Sequence, residues 1–437
     1  MRFRAHSVAD ATGGRLVGPD VEIEGVSFDS RSVQPGQLFV PLIAERDGHD
    51  FIAGALARGA AAYLTSLPAE SLGVTDGTAI EVADTLRALM ALAAAQRLTF
   101  NGPVIGVTGS VGKTSTKDLA WAALAASRST WANERSFNND LGLPTTILNA
   151  PDDTEVMVLE MGMRGFGEIA RLCEIAAPTI GVVTRVAEAH SDRVGGIAGV
   201  ARAKAELIAA LPPTGMAVLN GDDPFVRAMA ATSAAPVVMF GTADDCDVRI
   251  ADVRLDHLAR ASFGLHTPWG AVDVHLGVSG GHMVANAAAA IACVGVVGGD
   301  VMAGAAALSD VELTAMRMHI ATSVGGATVL DDSYNANPTS MRAALDALAA
   351  LPATRRFAVL GVMAEISDPA AEHLAITRYA QSLGIEVIPA GTNLYGPPPA
   401  QITSAGALDA LGPGDAVLVK GSRIAGLDRL AATLRAR

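Results

Sequence analysis

The segment Thr108-Gly109-Ser110-Val111-Gly112-Lys113-Thr114-Ser115 stands between an apolar run at 104–107 and a helical pattern through Leu119, Ala122 and Ala123. Residues of these types in this setting suit a phosphate loop. Glycines let the backbone bend so that its N–H groups face phosphate oxygens, and the opening helix adds positive potential. Lys113 supplies charge, and Thr114 offers a hydroxyl to Mg²⁺. The fit to GxxxxGK[ST] is imperfect, because Val107 stands at the first glycine position, and a plain strand-to-helix turn is the competing reading. If ATP lies on this loop, cation ligands should project from the carboxyl ends of neighbouring strands, where ligands collect in open parallel sheets. Glu160 ends the run VMVLE, and His190 follows GVVT after a short loop. Magnesium prefers oxygen, so Glu160 is the more natural ligand, while His190 reads equally as a surface or capping histidine.

Lys204 is exposed as unusual by helical geometry. Val200, Leu207, Ile208 and Leu211 form an apolar stripe at 3.6 residues per turn, and Lys204 falls within it. Its amine either snorkels to solvent or is buried, where its pKa shifts readily and it can be carbamylated. Other groups have plain alternatives. Asn138-Asn139 could be an Asx-rich turn, and Ser30-Arg31 with Asp47-Gly48-His49 could be loop punctuation. The segment 331–338, DDSYNANP, closes a strand and opens a helix. Asn337 before Pro338 reads as a cap, but five polar residues in a row exceed what a cap requires. Arg317 and Lys420-Gly421-Ser422-Arg423 supply cations that could face phosphate or carboxylate, with a solvated surface as the default.

The elements that must hold these residues follow from the whole chain. At 437 residues it is about three times a ~150-residue domain, so several domains are expected. Half the residues are hydrophobic and only 4% aromatic, so cores of Ala, Val, Leu and Ile are expected, as in helices packed on parallel strands. A net charge of −13 opposes broad binding to nucleic acid or an acidic membrane. Cys173, Cys246 and Cys293 are widely spaced with no CxxC, which fits a reducing cytoplasm. The start of the chain lacks the apolar stretch of a secretory signal, and 287–299 is too short to span a membrane. Strand-like VEIEGVSFDSR and QPGQLFVPL, then helical-looking FIAGALARGAAAYL, suggest a small α/β domain over 1–98. Runs at 104–107, 156–159 and 180–183 alternate with helices over 99–312, the rhythm of a mainly parallel sheet. ATVLDD, RFAVLG, IEVIPAG and AVLVKGS repeat that rhythm over 313–437 as a Rossmann-like domain.

Together these segments resemble the Mur ligases, the ATP-dependent amide-forming enzymes of peptidoglycan synthesis, over essentially the whole chain and in the family's order. FDSRSVQPGQLFVPL, DGHDF and GAAAYL are similar to the uridine-nucleotide-binding domain. TGSVGKTS, FNNDLGLP, LEMG, the EAH ending at His190, AKAEL and LNGDDP are similar to the central ATPase domain. DDSYNANPTSM and LVKGSR are similar to members that add D-alanyl-D-alanine, and the DNPR-type signature of the diaminopimelate- or lysine-adding members does not occur. The resemblance implies an ATP-dependent ligase joining D-alanyl-D-alanine to UDP-N-acetylmuramoyl-tripeptide in the cytoplasm, working as a monomer, with two Mg²⁺ ions.

Carried over residue by residue, it implies that Thr108 to Ser115 bind the ATP phosphates, with Lys113 catalytic, and that Thr114, Glu160 and His190 meet Mg²⁺. Lys204 would be a carbamylated lysine holding a second ion. Asn286 would meet adenine, Asp332 the ribose, and Arg317 would be the linker arginine. Ser30, Arg31, Asp47 and His49 would line the uridine-nucleotide end, and Asn138 and Asn139 the substrate side of the centre. Tyr334, Asn335 and Asn337 would face the dipeptide. The chain departs from the family pattern at Met283, Arg185 and Val362. Those departures motivate two alternatives: a sibling ligase with another amine, or a nucleotide-binding homologue whose ligase site has decayed.

Overall fold

The computed structural model describes residues 1–74, 77–187, 194–396, 408 and 411–436. They form two compact units. One comprises Met1–Gly106, Ser129–Met163 and Glu168–Thr179, the other Val107–Arg128, Arg164–Gly167 and Ile180–Arg437.

The first unit holds a five-stranded sheet in the order Arg15–Val17, Thr78–Glu81, Ala62–Thr65, Leu38–Phe39, Val26–Ser27. Its first pair is antiparallel and the others are parallel. Phe39, Ile52, Tyr63 and Ala79 pack together beneath it. A helix occupies Thr85–Arg97, with the Asp84 carboxylate accepting from the Arg87 N–H at its start. FIAGALARGAAAYL is not one helix. A helix occupies only Ile52–Ala57, Gly59 turns the chain at φ 96°, and Ala62–Thr65 is a strand buried at every residue. The helix propensity of alanine yields there to a slot inside the sheet. Two further parallel strands, Thr130–Ala132 and Val156–Glu160, end this unit's framework at Glu160.

The chain passes between the units within the strand Val104–Thr108. In the second unit, Ile180–Val183, Met216–Asn220, Val237–Gly241 and Val248–Leu255 pair in parallel. Arg260–Thr267 and Gly270–Ser279 then continue antiparallel, two strands that the reading of a mainly parallel sheet left out. Their burial alternates along the strand, as it does when one face meets solvent, so they lack the continuous apolar runs that marked the others.

The last sheet has the order His319–Thr322, Thr328–Asp332, Asp415–Lys420, Arg355–Leu360, Glu386–Pro389. Only its edge strand His319–Thr322 runs antiparallel, and the four runs expected from the sequence are the four parallel strands. Val329, Phe357, Val359, Val417 and Val419 fill one face. The three cysteines are buried and none is in a disulfide among the described residues. No helix among the described residues is long and apolar enough to cross a membrane.

Candidate active site

The phosphate loop joins a fully buried strand to the helix Lys113–Ala125, whose N-cap is Gly112 at φ 84°. Glycine is required twice. A Cβ on Gly109, at φ 152°, would fall 1.9 Å from Thr184 Oγ1, and one on Gly112 would fall 2.6 Å from Asn286 Oδ1. Gly112 therefore brings Asn286, on the helix Met283–Val296, against the loop. The Asn286 amide donates to Met283 Sδ at 3.5 Å, so the methionine that departs from the family pattern touches the asparagine expected at adenine.

The loop is held in shape by the segment after Ile180–Val183. Ser110 N–H donates to Arg185 O at 2.7 Å, and Ser110 Oγ donates to Ala187 O at 2.8 Å. Thr184 Oγ1 donates to Val111 O at 2.6 Å. That segment is in turn fixed by the LNGDDP run: Asn220 Nδ2 donates to Thr184 O at 2.7 Å, and Asp223 Oδ2 accepts from Val186 N–H at 2.9 Å. Thr184, Asn220 and Asp223 were not singled out as site residues, although LNGDDP was visible as a motif. Ser110 thus binds its own protein with both its N–H and its hydroxyl.

Lys113 Nζ donates to Gly109 O at 2.7 Å, across the base of the loop. Thr114 is buried, and its hydroxyl receives a 3.3 Å hydrogen bond from Arg317 Nη2. Arg317 also lies 4.2 Å from the centroid of the Tyr334 ring, which joins the loop to the segment after Asp332. Thr314 reinforces that join by donating its N–H to Asp118 Oδ2 at 2.8 Å. Ser115 is buried in the first turn of the helix, as is Thr116.

Lys204 sits on the helix Ile197–Ala209 among Val200, Ala203, Leu207 and Ile208, and only 3% of its surface is exposed. Burial, then the charge of Lys113, pushes its amine well below the usual lysine range. The inward-facing alternative is the correct one. His190, the other expected metal ligand of this unit, lies outside the described residues.

Glu160 belongs to the first unit and is 1% exposed. Asn138 Nδ2 donates to its Oε1 at 2.6 Å, and its own N–H donates to Asn133 Oδ1 at 2.6 Å. Its Oε2 is buried with no hydrogen-bond partner among the described residues. An orphaned carboxylate oxygen of this kind is costly unless a cation meets it. Asn133 was not anticipated, since nothing local marks it.

Several expected residues serve their own loops. Asn139 Oδ1 accepts from Leu141 N–H and Gly142 N–H, an Asx turn before the helix Gly142–Leu148. Asn337 caps the helix Pro338–Ala350 in a reciprocal box with Ser340. Asn335 Oδ1 accepts from Ala336 N–H. His49 is buried, with Nδ1 donating to Asp47 Oδ1 at 2.6 Å and Nε2 accepting from Ser66 N–H at 3.1 Å. Arg31 is exposed and forks onto Asp29, whose carboxyl it lowers to about 2, while Ser30 is half-buried beside it. Asp332 accepts a hydrogen bond from the Lys420 amine, so that lysine is buried rather than solvated.

Comparison with known proteins finds one family along the chain. Residues 22–97 match the family description Mur ligase family, catalytic domain; 107–294 match Mur ligase middle domain; 316–423 match Mur ligase, glutamate ligase domain. A UDP-N-acetylmuramoyl-tripeptide–D-alanyl-D-alanine ligase of Mycobacterium bovis is 42% identical over 405 residues, covering 87% of this chain and 78% of its own. The crystal structure of MurF from Acinetobacter baumannii superposes with a TM-score of 0.88 at 29% identity, over 100% of this chain and 99% of that one. MurF ligase from Thermotoga maritima in complex with ADP superposes with a TM-score of 0.81 at 27% identity, over 94% and 97%. Family descriptions along the chain and a relative matched over most of its length lead to one assignment: the chain belongs to the Mur ligase family, with the MurF type.

Proposed function

We propose that this chain joins D-alanyl-D-alanine to UDP-N-acetylmuramoyl-tripeptide at the expense of ATP, in peptidoglycan precursor synthesis. The observation that carries the reading is a phosphate loop whose Lys113 lies within charge reach of a buried lysine, Lys204, in a chain similar along its length to ligases of that name. ATP use is supported by the ADP complex of the Thermotoga relative.

A carboxylate is a poor acyl donor, so the peptide carboxylate first attacks the γ-phosphorus of ATP. A C(O)O–P bond forms, the β–γ bridging P–O bond breaks, and ADP leaves. The dipeptide amine then adds to the acyl carbon, and the tetrahedral adduct loses phosphate and a proton to leave the amide. Phosphoryl transfer of this kind depends on positioning and charge stabilisation, which Lys113 and the N–H groups at the start of Lys113–Ala125 supply. Arg317 bridges Thr114 and Tyr334, so it ties the loop to the segment on which the amine is proposed to bind.

Magnesium fits Glu160, which offers a buried hard oxygen with no hydrogen-bond partner among the described residues; Thr114 and His190 are the other proposed ligands. When bound, the ion neutralises charge on the transferred phosphoryl group. A carbamylated Lys204 is proposed to hold a second ion. The depressed Lys204 pKa favours the neutral amine, which is the form that adds CO₂ with loss of a proton. Residues 1–98, with Ser30, Arg31, Asp47 and His49, are proposed to take the uridine nucleotide. Residues 99–312 would take ATP, with Asn286 at adenine and Asn138 and Asn139 toward the substrate. Residues 313–437 would take the dipeptide through Tyr334, Asn335 and Asn337, with Asp332 on the ribose. A cytoplasmic monomer is the proposed working form, in keeping with three buried cysteines held as thiols.

The test is phosphate release from ATP and Mg²⁺ with UDP-N-acetylmuramoyl-tripeptide, with and without D-alanyl-D-alanine, reading the product mass. Release that needs both, with a pentapeptide product, is expected. Release with diaminopimelate or lysine instead would reassign the amine, and ATP binding without release would overturn the ligase reading.

A further inference from the structure

Asp332 and Lys420 end two neighbouring parallel strands and stand opposite each other in register. Side chains at in-register positions of adjacent strands share a face, so the pair forms at the carboxyl end of the sheet, where ligands of open α/β sheets bind. Lys420 is 2% exposed, and its Nζ donates to Asp332 Oδ2 at 2.5 Å and to the carbonyl of Asn335 at 2.9 Å. Asp332 Oδ1 accepts only a long 3.3 Å bond from Met318 N–H among the hydrogen bonds of the described residues. That oxygen keeps capacity for a ligand hydroxyl.

Two residues beyond Lys420, Ser422 Oγ donates to the Ala336 carbonyl at 3.3 Å and accepts from Ala364 N–H at 2.9 Å. The end of one strand therefore satisfies two successive carbonyls in the turn that follows the other. The same turn carries Tyr334, which lies under Arg317, which reaches Thr114. A buried ion pair adds little net stability over apolar packing, so the consequence of Lys420 is geometrical.

We infer that Lys420 is a positioning residue for nucleotide recognition: it aims the Asp332 carboxylate at the ribose hydroxyls of ATP and holds the 334–336 turn at the height where Arg317 meets the phosphate loop. The inference rests on the proposed role of Asp332 at the ribose. It differs from a purely structural role in one respect, because a structural lysine would affect all nucleotides alike.

The experiment measures kcat/KM for phosphate release with ATP and with 2′,3′-dideoxy-ATP, in the full chain and in Asp332→Asn, Lys420→Met and Lys420→Gln. The unaltered chain should prefer ATP by at least about 10-fold, the scale set when a buried polar group loses its ligand partner. Asp332→Asn and Lys420→Met should both bring the ratio within about 3-fold of unity, through KM for ATP more than through kcat. Combining them should lower the ratio no further, the coupling expected of residues that act as a unit. Lys420→Gln, which keeps a neutral donor in place, carries the test if the methionine variant does not fold and should give an intermediate ratio. If either Lys420 variant keeps the full preference while Asp332→Asn loses it, the positioning role is overturned. If Asp332→Asn also keeps it, or the unaltered chain has none, the ribose assignment fails and this inference fails with it.

Discussion

Asn138 donates its side-chain N–H to one oxygen of Glu160 at 2.6 Å, and the other oxygen of that carboxylate is buried without a hydrogen-bond partner among the described residues. The asparagine fixes the carboxylate plane, so it determines the direction in which the free oxygen can meet a cation. Replacing Asn138 by Ala should weaken Mg²⁺ dependence by about 10-fold or more, the scale for groups that orient a metal ligand. A magnesium titration of phosphate release checks this, and an unchanged half-saturation point would count against it.

Thr184 and Gly109 form a lock and a keyhole, since no side chain larger than hydrogen fits between them. Thr184→Val removes the hydrogen bond to Val111 O while keeping the shape, which should cost roughly 1–2 kcal/mol of stability. Because the bond shapes the phosphate loop, KM for ATP should rise as well. Thr184→Ser, which keeps the hydroxyl, should recover most of both, as read by thermal melts and ATP titration.

Lys113→Met should lower ADP release on the order of 1,000-fold if, as proposed, its charge stabilises the transferred phosphoryl group. Substrate-free melting should change far less. A single-turnover assay with both substrates present separates the loss from product release.

Lys204 gives a pH-dependent prediction. Its folded pKa lies below the unfolded value, so the unfolded chain binds more protons through the window between them, and stability rises with pH across that window. The burden is fully present below the folded pKa and is relieved as pH climbs toward the ordinary lysine value of 10.5. Lys204→Met should melt higher than the unaltered chain near pH 7, with an advantage that shrinks toward pH 10. On the proposed carbamate role it should also lose activity on the order of 100-fold, as expected when a group that holds the metal is removed. Lys204→Ala should regain part of its activity with short carboxylic acids. Full activity in Lys204→Met would remove the lysine from the chemistry.

Arg97 is buried with its guanidinium donating to the carbonyls of Ala176, Ala177 and Phe100 at 2.6, 2.9 and 2.8 Å. Ala177 is a non-glycine residue at φ 38°, so that turn depends on outside support. Arg97→Ala should cost about 2–4 kcal/mol by stranding buried acceptors, while KM for ATP at permissive temperature stays close to that of the unaltered chain. Denaturant unfolding measures the first, and ATP titration the second.

What the sequence by itself determined is local. The two glycines of the phosphate loop, the alternation of apolar runs with helices in the last third, and the inward direction of Lys204 all depend on spacing along a few turns of chain. Backbone geometry and periodicity act at that range. Tertiary structure decided what depends on distant partners. It made a buried strand of 62–65 despite the alanines at 60–62, and added the antiparallel strands 260–267 and 270–279. It also buried Lys420 against Asp332, 88 residues away in the chain, because two strands far apart in sequence ended side by side in one sheet. A lysine read alone is solvated by default, and only strand register supplied the carboxylate that lets this one leave water.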